Sequence, residues 1–547
     1  MSHSPVDSEK NADQKAVGVS TYEDDHVPQR GELKRQLKSR HMQMIAIGGA
    51  IGAGLFVGSG GALSRGGPAS LVLCFMIVGS MLLVTVQALG ELAVLYPVNG
   101  AFFTYICRFI DESWGFAMGW DYAISWLFIL PFEITAACVT LEFWEGGARV
   151  NSAVWVTVFL VALSTVNFFG VRGFGEVEFV LSMIKILACM GFIILGIVIN
   201  VGGVPTDPRG YIGALYWRDP GAFRNGFKGF CSVFVTASFA FAGTELTGLC
   251  AAETTNPRKS IPQATKQVFW RITFFYIVNL FILGLVVPSD DERLLDASGA
   301  NTKASPFVIA IQIAGIKGLP SVFNVCITMA VLSVANSCSY GSTRTIQALA
   351  GRGMAPRFFE TVDKHGRPIW CIVLQIAIGF LGYLNVSANK GDVFNWLLAL
   401  SGLSYFFVWG SICLAHIRFR KAWALQRGST DSFPYKATFG VIGSYYGLAL
   451  NILCLIAQFY IAVAPIGGGA TAEDFFSAYL AAPVVIVLYL GWKAYSKSWS
   501  SPWVKLAEMD LATGLRDDLD VVAVEDDPDV VEKTWANLPK RMLGGLI

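Results

Sequence analysis

Charge is what this sequence has least of. Asp, Glu, Lys and Arg make up 15% of its 547 residues, where a soluble chain carries about a quarter. That deficit excludes an ordinary water-exposed surface. The charges present nearly cancel, at +1 net, so no overall field favours nucleic acid, and none is expected as a partner. Histidine is scarce as well: five scattered residues offer no imidazole cluster, and no metal is expected. The eleven cysteines lie within or beside apolar segments, Cys74, Cys138, Cys326 and Cys454 among them, with no Cys-x-x-Cys pair. They read as small buried hydrophobes, not as a disulfide framework. Residues 1–40 lack the apolar core of a secretory signal. Polar and charged, they read as a disordered cytosolic tail, so the first membrane span must direct insertion. No nucleophile–base pair is evident, so neither an enzyme nor a cofactor is expected.

Apolar runs are what the sequence has most of, at 54% hydrophobic residues. Stretches of about 20 residues almost without charge match the thickness of a bilayer. The chain therefore reads as an all-α polytopic membrane protein whose environment is the lipid bilayer. Twelve spans are expected, at 42–63, 69–95, 115–141, 153–169, 177–200, 229–251, 269–288, 320–345, 369–385, 393–416, 440–463 and 476–495. Ser305 to Ile316 is apolar but too short to cross, and reads as a re-entrant or interfacial helix. Basic residues fall in alternate loops: Lys34, Arg35, Lys38 and Arg40, then Arg258, Lys259 and Lys266, then Arg352, Arg357, Lys364 and Arg367, then Arg418, Arg420, Lys421, Arg427 and Lys436. By the positive-inside rule these loops and both termini are cytosolic. The loop 201–228, with Arg209, Arg218 and Arg224, is an exception on the outer side. Asn385-Val-Ser387 is a glycosylation triplet in an external loop, close to a span.

Two of the apolar segments are interrupted. Gly48 to Val57 reads Gly-Gly-Ala-Ile-Gly-Ala-Gly-Leu-Phe-Val, and each glycine weakens a helix by roughly 1 kcal/mol against alanine. The sixth span carries Phe239-Ala-Phe-Ala-Gly243-Thr-Glu245-Leu. Spans one and six occupy equivalent places if the first ten spans are two five-span halves, and paired interruptions of this kind point to a transporter site. Unwound backbone frees carbonyls for an ammonium, while the half-helix that follows turns N–H groups toward a carboxylate. An α-amino acid carries both groups on adjacent atoms. A second reading stays open: Gly48–Gly52 and Gly54–Gly58 are Gly-x-x-x-Gly spacings, which also let helices pack closely.

These segments carry a resemblance. Gly-Ala-Ile-Gly-Ala-Gly-Leu-Phe, then Gly-Glu91-Leu-Ala-x-x-x-Pro97-x-x-Gly100, resembles the amino acid–polyamine–organocation (APC) superfamily. Phe-Ala-Gly-Thr-Glu-Leu, Ala-Glu253-Thr-Thr-Asn-Pro257-x-Lys-x-Ile-Pro262, Asn395-Trp396 and His416-Ile-Arg-Phe-Arg420 resemble its fungal amino acid permease branch, over about 37–503. The resemblance implies a LeuT-type core of two inverted five-helix repeats, at 41–200 and 228–416, with broken helices one and six. It implies two extra helices at 439–496 and a cytosolic C-terminal tail at 497–547. The activity implied is proton-driven uptake of amino acids across the plasma membrane, with protons as coupling ion and cytosolic regulators meeting the termini. The alternatives are a non-transporting amino acid sensor on the same scaffold, or a permease for a related amine such as GABA, choline or a polyamine. One departure stands out. Relatives often place Ser or Thr between the two glycines of span one, and this chain has Ala53, so backbone alone must read the substrate's carboxylate there.

Candidate residues follow. The substrate's ammonium is expected at carbonyls around Ile51, Phe239 and Ala240, and its carboxylate at the N–H groups of Gly52, Ala53 and Gly54. Phe241 and Gly243 flank the second break, and by resemblance Phe239 is the gating aromatic. Lys185, about 14 Å along its helix from Glu176 at ~1.5 Å per residue, is too deep to snorkel and needs a partner. By resemblance it is a proton-coupling residue; the alternative is a static contact to free carbonyls of span one. Glu245 sits where a half-helix N-terminus favours its charge and burial opposes it. That suits proton coupling or a fixed cap. Glu133 follows Pro131 and either faces the substrate or satisfies the kink. Glu91 reads as part of the inner gate. Ser333, Asn336 and Ser337 read as interhelical hydrogen-bonders, and Trp396 as a vestibule wall or interfacial anchor.

Overall fold

A computed structural model describes residues 37, 39–254, 256–295, 305–386, 390–469, 471–500 and 503–515; side chains at 39–40, 47–48, 172, 385–400 and 477 are outside the description. The expected tail at 1–40, most of the tail at 497–547, the Asn385 triplet and the Trp396 side chain therefore lie outside the described residues. Those residues form helices, and their one strand-like pairing is a bridge between Leu37 and Thr254. Seven helices are long and apolar enough to cross a membrane. The Gly170–Asn200 helix shows the logic of the whole. Val180, Leu187 and Ile194, seven residues apart, are each more than half exposed, while Glu178 and Lys185 are fully buried. Apolar side chains face outward and the charges inward, the reverse of a water-soluble helix.

The first expected span is broken near its middle. The Ser39–Gly48 helix stops at the glycine pair, the backbone is irregular through Gly52, and winding resumes in a π-type turn at Gly54–Gly58. Helix then runs from Ser59 toward Leu95 but is interrupted at Gly67, whose backbone is not helical (φ 80°, ψ 169°), so the expected spans 42–63 and 69–95 meet at a corner there. Gly67 alone makes the bend, at φ 80°, and a Cβ there would meet the Ala222 carbonyl oxygen at 2.7 Å. Backbone groups freed at the bend bond the outer loop: Ala69 N–H donates to Ala222 O (2.9 Å), and Arg224 N–H to Gly66 O (2.9 Å). The sixth span breaks similarly, between Phe234–Phe241 and Leu246–Leu249, with Gly243 at φ 91°.

Three segments refine the sequence expectation. The expected re-entrant or interfacial segment is the Pro306–Ile313 helix, which is buried in protein. The Ser305 hydroxyl caps it and also donates to Phe56 O (2.5 Å), and Phe307 packs edge-on against Phe56 at 5.2 Å. The seventh helix starts at Pro257, well before 269, because the Asn256 side chain accepts from Lys259 N–H and proline suits the first turn. An unforeseen helix, Ala101–Phe109, joins the second and third spans and is almost wholly buried. The Glu112–Leu141 helix, capped by the Asp111 side chain accepting from Trp114 N–H (3.1 Å), packs along the Leu319–Gly351 and Lys390–Gln426 helices and walls the interior.

Candidate functional site

The two breaks meet. A Cβ on Gly54 would lie 2.5 Å from Ala240 Cα, and one on Gly58 would lie 3.2 Å from the Thr236 methyl. The glycine spacing of span one thus seats the Phe234–Phe241 helix against the first break, and both readings of that spacing hold together at Gly54. Tyr276, from the seventh span, ties the breaks. Its hydroxyl lies 3.1 Å from the Ala50 carbonyl oxygen and 2.7 Å from that of Ala240, so one proton serves acceptors on both broken helices. Arg271 does the same one turn away, donating to Ala46 O (2.6 Å) and to the Thr244 hydroxyl.

Ile51, Gly52, Ala53 and Gly54 are all buried. The Gly52 carbonyl accepts from Phe56 N–H (3.1 Å), and a Cβ at Gly52 would clash with Val334 at 2.3 Å. The Glu133 carboxylate lies beside this break: a Cβ on Gly52 would lie 3.6 Å from its Oε1, and its Oε2 has no hydrogen-bond partner.

Glu245 closes the second break. Its Oε1 accepts from Tyr122 OH (3.0 Å) and Gly243 N–H (3.1 Å), and its Oε2 from Trp409 Nε1 (3.2 Å). The Phe239 ring packs edge-on against Phe132 at 4.8 Å, and Phe241 against Tyr276 at 4.4 Å. Lys185 ion-pairs with Glu178 at 3.3 Å, both side chains fully buried. Glu178 also accepts from the hydroxyls of Ser333 (2.7 Å), Ser182 (3.2 Å) and Ser337 (3.5 Å). Lys185 thus has a carboxylate partner, and the Met44 carbonyl of the first helix takes the Ser182 hydroxyl (3.3 Å). Glu91 lies away from the breaks. It holds His416 Nε2 (3.0 Å), Arg420 Nη2 (2.7 Å) and Ala437 N–H (2.8 Å), clamping the second span to the tenth and to the loop beyond it. Glu253, of the Ala-Glu-Thr-Thr motif, pairs with Arg344 (2.8 Å) and accepts from Tyr340 OH (3.0 Å).

Ile51, Gly52, Ala53, Gly54, Glu133, Phe239, Ala240, Phe241, Gly243 and Glu245 therefore gather around the two breaks, with Lys185 behind the first and Glu91 apart. Sequence reasoning passed over Glu178, Arg271, Tyr276, Tyr122 and Trp409. Glu178 was legible, since seven residues make two turns and put it on the face of Lys185. Arg271 falls two residues inside the expected span 269–288, where nothing in the local sequence marks it out as buried.

The chain belongs to the amino acid permease family, whose model matches residues 41–505. It is 55% identical over 495 residues to the general amino-acid permease GAP2 of Candida albicans, covering 90% of this chain and 83% of that one. Identity to the general amino-acid permease GAP1 of Saccharomyces cerevisiae is 52% over 499 residues, covering 90% and 82%. Identity to the cationic amino acid transporter 1 of Schizosaccharomyces pombe is 50% over 506 residues, covering 92% and 85%. The resemblance read from the motifs is thus a family membership, and the chain is a multi-pass membrane permease.

Proposed function

We propose that this permease is a plasma-membrane amino acid–proton symporter working by alternating access. Its core would have twelve spans, the first ten as two inverted five-helix repeats, with both termini cytosolic and open to cytosolic regulators. The observation that supports this best is the meeting of the two breaks, joined through Tyr276 at the carbonyls of Ala50 and Ala240. An α-ammonium finds acceptors there, around Ile51, Phe239 and Ala240. An α-carboxylate finds the N–H groups of Gly52 to Gly54.

The place of Glu133 beside Gly52 at the first break suggests how proton and substrate load together. An ionised Glu133 would repel a substrate carboxylate that seeks the N–H groups there, and protonation would remove that repulsion. Lys185, paired with Glu178 behind the first break, and Glu245, bonded to Gly243 N–H in the second, then respond to the same change of charge. Phe239 closes over the bound amino acid, and the Glu91 clamp belongs to the inner gate. Protons are the only coupling ion this reading needs.

The test is uptake into proteoliposomes of a panel of labelled amino acids, with and without an inside-alkaline gradient. Accumulation of at least one amino acid should rise with the gradient and collapse on adding a protonophore. Binding without accumulation would identify a sensor instead, and preferential uptake of GABA, choline or a polyamine would identify an amine permease.

A further inference from the structure

Below the second break lies a carboxylate that the cycle above does not use. Asp121, on the Glu112–Leu141 helix, is 1% exposed. Its Oδ1 accepts from the Ser404 hydroxyl of the Lys390–Gln426 helix at 2.8 Å, and its Oδ2 has no hydrogen-bond partner. Among the described residues no Lys, Arg or His pairs with it, unlike Glu91, Glu178 and Glu253. A buried carboxylate with half its acceptors unmet is costly in a bilayer and marks function by default. Two further buried hydroxyls lack partners close by: Ser125, one turn on along the same helix, and Tyr405, next to Ser404. Tyr405 feels the charges of Glu245, Asp121 and Glu133 together. Its ring stands 6.4 Å from that of Tyr122, whose hydroxyl donates to Glu245. Tyr122, Tyr405 and Ser404 thus stand between the second break and Asp121, bonded to a carboxylate at each end, with the unpartnered Tyr405 hydroxyl among them. Asp121 is nine residues from the start of its helix at Glu112, about 14 Å at ~1.5 Å per residue, and that end is cytosolic in the proposed orientation.

We infer that Asp121 is the inner relay carboxylate, which receives the coupling proton from Glu245 through Tyr405 and passes it toward the cytosol. In the transfer the O–H bond of protonated Glu245 breaks as one forms on the Tyr405 oxygen. The original Tyr405 proton moves to Asp121 Oδ2, leaving Glu245 ionised, Tyr405 neutral and Asp121 protonated. The ionisable groups around Tyr405 of the Lys390–Gln426 helix are Glu245 from the second break, Cys338 from the Leu319–Gly351 helix, and Asp121 and Glu133 from the Glu112–Leu141 helix. Toward the cytosol, Lys493 of the Ala481–Ser496 helix is held by Asp111 at 3.3 Å. Asp121 is therefore a positioning and relay residue for protons, with no contact to substrate required of it.

The inference rests on the proton-coupled reading, and one set of measurements separates their failures. The full chain is reconstituted, and radiolabelled L-leucine and L-arginine are followed in two modes. One is exchange against internal unlabelled amino acid at equal pH; the other is net accumulation driven by an inside-alkaline gradient, across a range of outside pH. Asp121→Asn should keep exchange within about two-fold while losing roughly ten-fold or more of gradient-driven accumulation, with a flattened pH profile. Asp121→Glu should restore both. Gradient-driven accumulation by Asp121→Asn equal to the parent overturns the inference. So does joint loss of exchange and accumulation that Asp121→Glu fails to rescue, which marks a structural role. If the parent itself accumulates independently of the gradient, the proton-coupled reading falls and this inference with it.

Discussion

Glu178 and Lys185 bring opposite charges together at zero exposure, with Glu178 held by Ser182 of their own helix and by Ser333 and Ser337 of one neighbouring helix. Removing one partner leaves the other buried and uncompensated, a loss of about 3–5 kcal/mol, whereas removing both leaves neutral groups. Lys185→Met and Glu178→Gln should each lower the melting temperature of the detergent-solubilised protein, and the double variant should recover most of the difference. Lys185→Met should also abolish pH-driven uptake while still inserting into the membrane; undiminished uptake would remove Lys185 from the coupling scheme. Depth made Lys185 visible in the sequence. Glu178 was hidden by Glu176, two residues before it, which is 44% exposed and pairs with His41 at 3.2 Å. Adjacent acids on a helix look alike in sequence, and only the choice of face separates a surface charge from a buried one. Tyr276 gave still less signal, because its role depends on carbonyls that only unwinding exposes.

At the level of the element, composition foretold the apolar helices and both breaks, since glycine cost and hydrophobic length are local properties. Ends were less legible because they are set by caps. Asn256 and Pro257 extend one helix toward the break, and Gly67 turns the corner between two expected spans with a single non-helical residue. The Ala101–Phe109 helix was missed because burial by tertiary contacts, not its own hydrophobicity, sustains so short a segment. Contact between the breaks yields its own prediction. Gly54→Ala adds a methyl group 2.5 Å from Ala240 Cα, where backbone must move. Overpacking of this kind costs about 1–3 kcal/mol, and transport should fall well below half of the parent rate in the proteoliposome assay. Gly191→Ala is the control: a Cβ there meets nothing within 4 Å, and transport should be unchanged.

Across the whole molecule, one end of the bundle is covered by the chain's own C-terminal segment. From Trp503 to Leu515 it runs beneath the bundle, with Met509 and Leu511 each 3% exposed. Tyr96 OH donates to Leu511 O (3.1 Å), Arg108 Nη1 to Thr513 O (2.7 Å) and Val504 N–H to Ile110 O (2.9 Å). Arg418 stacks over Trp503 at 4.9 Å. These anchors grip both ends of the Ala101–Phe109 helix, whose Phe102 ring packs 4.6 Å from Tyr122, the donor to Glu245. Leu511→Asp should loosen this strap. Site-resolved mass spectrometry should then find maleimide labelling of Cys107, 5% exposed in that helix, raised several-fold over the parent. Equal labelling would show that the strap does not hold the helix. Sequence reading assigned the segment to a cytosolic tail, because thirteen mixed residues betray no partner until the fold supplies one.

The Tyr276 hydroxyl has a consequence for the unloaded half of a transport cycle. A carrier that has delivered its cargo must swing back empty, and bare carbonyls at two helix breaks would make that lap costly in a medium without water. A resident hydroxyl shared between Ala50 and Ala240 keeps those oxygens occupied throughout the journey. In the proposed cycle an arriving ammonium would displace a tethered, neutral placeholder instead of filling a void. Binding would be weaker by the strength of that displaced bond and the return stroke faster for the same reason, so that modest affinity would be the physical counterpart of rapid turnover.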